Sequence, residues 1–257
     1  MNPHRRAWIR AGAAILAAGG LWQAGRALGQ DAAARIEVMP FSSLRAGDPL
    51  PGWLRPHSFA DRPRHTRYDL VEDEGRVVLR AQADASTAGL VRELKVDPRT
   101  HPLMAWRWKV ARLVSRGDPA TREGDDFAVR VYVTFDLDPA SLSVGERLKL
   151  SLAKMMYGER IPLAVLCYVW DARTPRDTIL PNAYTDRVRM VIAESGTARV
   201  GRWIALERNV RDDYRRAFGT EPGAVNGVIV SSDTDNTGES LEAWYGDISF
   251  RSTVAGG

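Results

Sequence analysis

Asp126, Arg130 and Tyr132 stand at alternate positions in the run GDDFAVRVYVTF, residues 124–135. A period of two is that of a β-strand, so these three share one face with Ala128 and Thr134. Phe127, Val129, Val131, Val133 and Phe135 would share the other. A carboxylate, a guanidinium and a phenol in line suit a polar ligand: the guanidinium fork donates paired hydrogen bonds, the carboxylate accepts them, and the ring stacks. Asp125 and Asp126 point to opposite faces of a strand, so they do not form an acid–base pair on one bond. Other strands offer similar groups. Arg189 lies within a strand expected over 187–194, Glu207 within 203–208, and Trp170 ends 163–170. If these strands are neighbours, Arg130, Arg189 and Glu207 extend one polar surface, either a structural ion ladder or a cleft for a sugar or an anion. The candidate ligand-binding set is Asp126, Arg130, Tyr132, Trp170, Arg189 and Glu207.

A second group could hold a metal. The loop Ser232-Asp233-Thr234-Asp235-Asn236-Thr237-Gly238-Glu239 carries oxygen donors at alternate positions and a glycine for the turn, as calcium loops do. The sixth residue after the glycine is Trp244, where an EF-hand needs a bidentate glutamate, so an EF-hand is excluded. Asp233, Asp235 and Asn236 remain candidates for a looser calcium site; the alternative is a network of Asx turns. A structural calcium ion is the only cofactor the chain suggests.

Complete catalytic motifs are missing. No HExxH, Gly-x-Ser-x-Gly, P-loop or Gly-x-Gly-x-x-Gly occurs. Cys167 is the only cysteine, which rules out an internal disulfide, and its apolar strand marks it as core filler rather than a nucleophile.

The elements that must position these groups are mostly strands. Short alternating segments are expected at 36–41, 76–81, 89–96, 103–110, 126–135, 163–170, 187–194, 203–208, 225–231 and 241–250, separated by turn residues. This pattern predicts a mainly β fold, a jelly-roll-like antiparallel β-sandwich. Two short helices interrupt it. One starts at Asp138-Pro139 and ends near Gly158; the other runs from the cap Asn209 to about Phe218 and stops at Gly219. Trp106, Trp108 and Trp244 are expected in the core.

The N-terminus reads as a targeting segment. Arg5 and Arg6 precede an apolar run over 11–21, and Ala27-Leu28-Gly29 offers a cleavage site. The expected domains are a twin-arginine-like signal peptide over 1–29 and a single β-sandwich over 30–257. The apolar run is too short to span a bilayer, and no transmembrane segment follows. Four of the 36 basic residues and no acidic one fall within 1–29, so 32 of each sign remain. The net charge of +4 thus belongs to the targeting segment, and a nucleic-acid partner loses its support.

Several segments together resemble a bacterial family, domain of unknown function 3047. They are Trp106-Arg107-Trp108, Gly124 through Arg130, Tyr168-Val169-Trp170, Pro181-Asn182-Ala183-Tyr184, Glu207-Arg208-Asn209-Val210 with Asp213-Tyr214, Phe218-Gly219, Ser232 through Gly238, and Tyr245-Gly246-Asp247-Ile248. The resemblance runs from about Phe41 to Phe250 and implies an exported protein without an assigned activity. A wider likeness is to carbohydrate-binding jelly rolls, carried by Phe41 and Trp53, the Trp106-x-Trp108 strand and the final Trp244-Tyr-Gly-Asp-Ile-Ser-Phe250 strand. Those modules often bind a structural calcium through an aspartate in the last strand, which implies a role for Asp247.

The expected function is noncatalytic binding of a glycan or other polar ligand outside the cytoplasm, in the periplasm. The alternatives are a polysaccharide hydrolase or lyase using Asp126 and Glu207, which would need them about 5–10 Å apart across a cleft, and an envelope assembly protein presenting the first helix.

Overall fold

The computed structural model describes residues 35–57, 64–136 and 164–253. Within them the chain forms strands β1 (Arg35–Met39), β2 (Arg55–His57), β3 (Arg67–Asp73), β4 (Arg76–Asp84), β5 (Thr87–Val96), β6 (Leu103–Val110) and β7 (Arg130–Phe135). Then come β8 (Ala164–Asp171), β9 (Ile179–Pro181), β10 (Val188–Ser195), β11 (Ile204–Asn209), helix α1 (Val210–Phe218), β12 (Val225–Asp233), β13 (Ser240–Tyr245) and β14 (Ile248–Arg251). A short 3-10 turn follows β1 at Phe41–Ser43.

The fold is a two-sheet β-sandwich. In the first sheet the strands run β1-β14-β6-β13-β4-β3, with β11 also paired to β6. In the second they run β2-β5-β12-β7-β8-β10-β9. Alternation drives both. In β6, Met104, Trp106, Trp108 and Val110 are buried, while Leu103, Ala105, Arg107 and Lys109 are half-buried on the other face. The core joins those residues to Val131, Val133, Leu166, Tyr168, Val228 and Val230 of the second sheet. Trp106 meets the ring of Tyr168 at 5.1 Å between centroids, a direct contact between the sheets.

Strand β8 is buried along its whole length. Leu166, Tyr168 and Trp170 face the main core. Cys167 and Val169 face a second, smaller cluster with Phe127, Met190 and Ile192. A strand covered on both faces has no solvent-facing positions, which is why this one reads as a nearly continuous apolar run up to Asp171.

Helix α1 matches its sequence signals. Asn209 Oδ1 accepts from the Asp212 N–H at 3.2 Å. Gly219, at φ 73°, donates its N–H to the Arg215 carbonyl and closes the last turn. Tyr214 packs on Phe135 at 4.8 Å, fixing the helix against β7.

Three expectations change. Strands β2, β3 and β9 add to those expected. The segment 241–250 is two strands, because Gly246 donates to the Arg107 carbonyl and the chain turns through Asp247 before pairing again. A Cβ on Gly246 would lie 2.3 Å from Arg107 Nε, so any side chain here would have to displace Arg107. The sandwich is not wholly antiparallel: β10 is parallel to β8, because the chain crosses first to the outer strand β9 and returns between them. The helix expected from 138 to 158 and the targeting segment lie outside the described residues. No helix among the described residues is long and apolar enough to cross a membrane.

Candidate functional site

The alternation expected from Asp126 to Phe135 begins only at Arg130. Before it the chain makes a tight turn, in which the Gly124 carbonyl accepts from the N–H groups of Asp118 (2.7 Å) and Asp126 (2.8 Å). A Cβ on Gly124 would lie 2.7 Å from the Asp118 backbone nitrogen. This turn breaks the period, so Phe127 lies under Arg130, its ring 4.6 Å from the guanidinium, rather than with Val129.

Arg130 is 2% exposed. Its Nε donates to Asp233 Oδ1 at 2.8 Å and its Nη2 to Asp233 Oδ2 at 2.5 Å. Nη1 donates to Asp125 Oδ1 at 3.0 Å, and Nη2 also reaches the Asp125 carbonyl. Against the burial that would lower it, Asp125 and Asp233 hold the guanidinium well above its ordinary pKa. Burial, with Asp126 and Asp125 close by, outweighs Arg130 and pushes the Asp233 carboxyl up to about 7. Asn182 Nδ2 donates to Asp125 Oδ2 at 3.0 Å. Asp126 accepts the N–H of Thr237 at 2.6 Å and of Asn236 at 3.3 Å. The network clamps the turn before β7 to the loop after β12.

The other expected residues do not extend this surface. Arg189 is registered with Leu166 and so faces the side opposite Tyr132, whose partner is Cys167. Arg189 reaches the Ala217 carbonyl and lies over Phe218 at the end of α1. Glu207 belongs to the first sheet and pairs with Arg251 at 2.5 Å. Asp126 and Glu207 therefore do not share a cleft. Trp170 is 1% exposed and donates its Nε1–H to the Gly196 carbonyl at 3.0 Å, so no face of it is open for stacking. Tyr132 packs at the smaller cluster, where burial raises its pKa well above the ordinary value. Of the metal candidates, Asp233 and Asp235 come together, with Asp126 as the third carboxylate. Asn236 spends its side-chain amide on the Asp125 carbonyl at 3.3 Å. Asp247 is elsewhere, accepting the Ser42 N–H at 2.8 Å and its hydroxyl at 2.5 Å.

An open polar groove of about 700 Å³ lies where β3 begins, β4 ends and β13 begins. Arg64, Arg67, Gln82, Asp84, Arg112 and Glu242 line it. Arg67, Gln82 and Glu242 form one row across the first sheet, and Gln82 donates to Glu242 at 2.7 Å. Among the described residues Arg67 has no ion-pair partner, although it opens onto this groove. The next row is Asp69, Arg80, Trp244 and Lys109. Trp244 is thus on the outer face, half-buried, with the Lys109 ammonium 4.7 Å from its ring, and not in the core as expected. Trp203 joins it, donating to Asp73 Oδ2 at 2.5 Å. Although burial works to raise it, hydrogen bonds from Lys109 and Trp203 hold the Asp73 carboxyl below its ordinary pKa. Sequence reasoning missed this surface because β3 was not recognised. The alternation Glu242-Ala243-Trp244-Tyr245 was the available signal.

Residues 51–249 match the family described as "Protein of unknown function (DUF3047)". The chain belongs to the DUF3047 family. No curated protein matches it. Two solved structures are similar to this DUF3047 chain in outline. The Emp47p carbohydrate recognition domain has a TM-score of 0.43 and 11% identity, over 87% of this chain and 99% of that one. The Spr0440 glycoside hydrolase domain, Endo-D from Streptococcus pneumoniae R6, has a TM-score of 0.32 and 9% identity, over 77% of this chain and 21% of that one. The chain thus spans about a fifth of the latter's length. Similarity at this level carries nothing about ligands.

Five of the eight segments bearing the DUF3047 resemblance meet in two buried networks. Arg130, Asp125, Asn182 and Asp233 make the first. In the second, Asp213 accepts from Tyr168 Oη at 2.9 Å and from Arg208 at 2.8 and 2.9 Å. These motif residues act on one another: the first network ties β7 to the end of β12, and the second ties β8, β11 and α1 together.

Proposed function

We propose that this DUF3047 protein is an exported binding protein for a glycan or another polar ligand, held in the groove on the first sheet. The observation that carries the reading is Arg67: a guanidinium without a protein partner among the described residues, beside Gln82 and Glu242, one row from the half-exposed face of Trp244. Donors, acceptors and an aromatic ring on a rigid strand scaffold suit a hydroxyl-rich or anionic ligand. Arg130 supports the fold in this reading and does not touch the ligand. A glycan array followed by thermal-shift titration of the purified protein tests it. A hit whose affinity falls at least tenfold in Arg67→Ala and Trp244→Ala, with melting temperatures unchanged, is expected. Binding unaffected by both substitutions, or no hit, refutes it.

Export through Arg5 and Arg6 is part of the proposal. Arg5→Lys with Arg6→Lys, fused to a reporter that works only after folded export, should leave the reporter in the cytoplasm. Undiminished export would remove the twin-arginine route.

A further inference from the structure

Two buried carboxylates, Asp125 and Asp233, hold one guanidinium, and a third, Asp126, lies close to Asp233. Asp126 is met only by two backbone N–H groups among the described residues. Burying an ionised carboxylate without a counter-charge costs several kcal/mol per ion, and one arginine cannot offset this surplus.

The geometry leaves room for a second cation. One oxygen each from Asp126, Asp233 and Asp235 lies within 4.8 Å of the others. Two calcium–oxygen bonds end to end span about 5 Å, so three such atoms can share one centre. Lone pairs remain free to do so. A carboxylate oxygen accepts two bonds. Asp233 Oδ1 is filled by Phe127 N–H and Arg130 Nε, but Oδ2 accepts only from Arg130 Nη2. Each Asp126 oxygen accepts one.

Thr237 points independently to a ligand. It is 6% exposed, and its Oγ1 is buried without any hydrogen-bond partner. Its own N–H donates to Asp126 Oδ2 at 2.6 Å, so the residue that carries this hydroxyl is in direct contact with the cluster. A buried hydroxyl left unpaired is destabilising by about 1–3 kcal/mol, and a cation at the cluster would take its oxygen as a ligand.

We propose that Asp126, Asp233, Asp235 and the Thr237 hydroxyl bind a hard divalent cation of calcium size, which ties the turn before β7 to the loop after β12. All the donors are oxygens, and nitrogen and sulfur ligands are missing, which favours calcium over zinc. Asp247, held by Ser42, takes no part. Asp235 is half-buried, the most exposed of the three carboxylates.

The test uses calcium chloride alone on the purified protein after EDTA treatment and removal of the chelator. Calcium at about a hundredfold its Kd should raise the Tm by roughly 5–10 °C, and isothermal titration should show one site. Asp235→Asn, which keeps the shape and removes the charge, should weaken calcium at least tenfold. Thr237→Val, which removes the hydroxyl and keeps the shape, should weaken calcium too and serves if Asp235→Asn does not fold. No heat and no Tm shift up to 10 mM calcium, about the weakest extracellular range and beyond, would overturn the proposal. So would a response identical in wild type and both variants.

Discussion

Replacing Arg130 with methionine should cost this protein a large part of its stability. Methionine keeps an apolar stem over Phe127 but removes the charge and four hydrogen bonds. Asp125 and Asp233, both under 10% exposed, then lose their counter-ion. Breaking a buried ion pair from one side costs about 3–5 kcal/mol, because the remaining charge stays buried. For a domain of this size that is a fall of roughly 10–15 °C in Tm. The measurement is urea unfolding followed by tryptophan fluorescence, in EDTA so that no cation replaces the guanidinium. Arg130→Lys should recover only part of the loss, since an ammonium cannot bridge both Asp233 oxygens and Asp125 in one plane. Asp233→Asn in the methionine background should cost about 2 kcal/mol less than in the wild-type background, as contacting charges couple. A loss below about 1 kcal/mol for Arg130→Met, or strict additivity with Asp233→Asn, would refute the reasoning and return Arg130 to the ligand-contacting role its sequence position suggested.

Glu239 accepts from Arg112 Nη1, the Ser115 N–H and hydroxyl, and the Arg116 N–H. Although burial works to raise it, these donors draw its pKa down to about 2. A lowered folded pKa contributes stability that is complete above the unfolded value and lost as pH falls toward 2. Glu239→Gln should therefore cost about 2–3 kcal/mol at pH 7, and the gap from wild type should close between roughly pH 4.5 and 2 in urea melts; a constant gap would contradict this. Burial pushes the Cys167 thiol up to about 12, so aromatic disulfide reagents at pH 8 should leave it unmodified until urea is added, and prompt labelling of native protein would show the strand to be open. A Cβ on Gly223 would meet the Asp136 carbonyl at 2.2 Å, a backbone atom held by the bond from its own N–H to Ala224. Gly223→Ala should destabilise by about 2–3 kcal/mol in the same assay, and an unchanged midpoint would mean that the segment shifts freely.

Much of the fold was legible because it is written in local patterns. The buried and half-buried residues of β6 follow its alternation one by one. Asn209 and Gly219 bracket α1 because capping depends on side chains within a turn of the helix end. Short elements escaped the same reading. Three-residue strands such as β2 and β9 carry too few positions to show a period, and β3 mixes Tyr, Asp, Leu and Glu without a clean face.

The candidate site was legible in its members but not in its geometry. The metal loop and Arg130 were singled out separately, 103 residues apart, yet they are one network. Arg189, Glu207 and Trp170 looked like companions of Arg130 because each is polar or aromatic on a strand. Register sends Arg189 to the opposite face and the sheet assignment removes Glu207 altogether.

The sequence by itself determined most of the longer strands, where α1 starts and stops, and that the fold is a sandwich: these follow from steric and hydrogen-bonding preferences acting over a few residues. Only the tertiary structure decided that Arg130 is an internal counter-charge and that Trp244 faces outward beside a polar groove. Both depend on which strands become neighbours and which sheet face is covered, and that choice is made by the packing of whole sheets rather than by any segment alone.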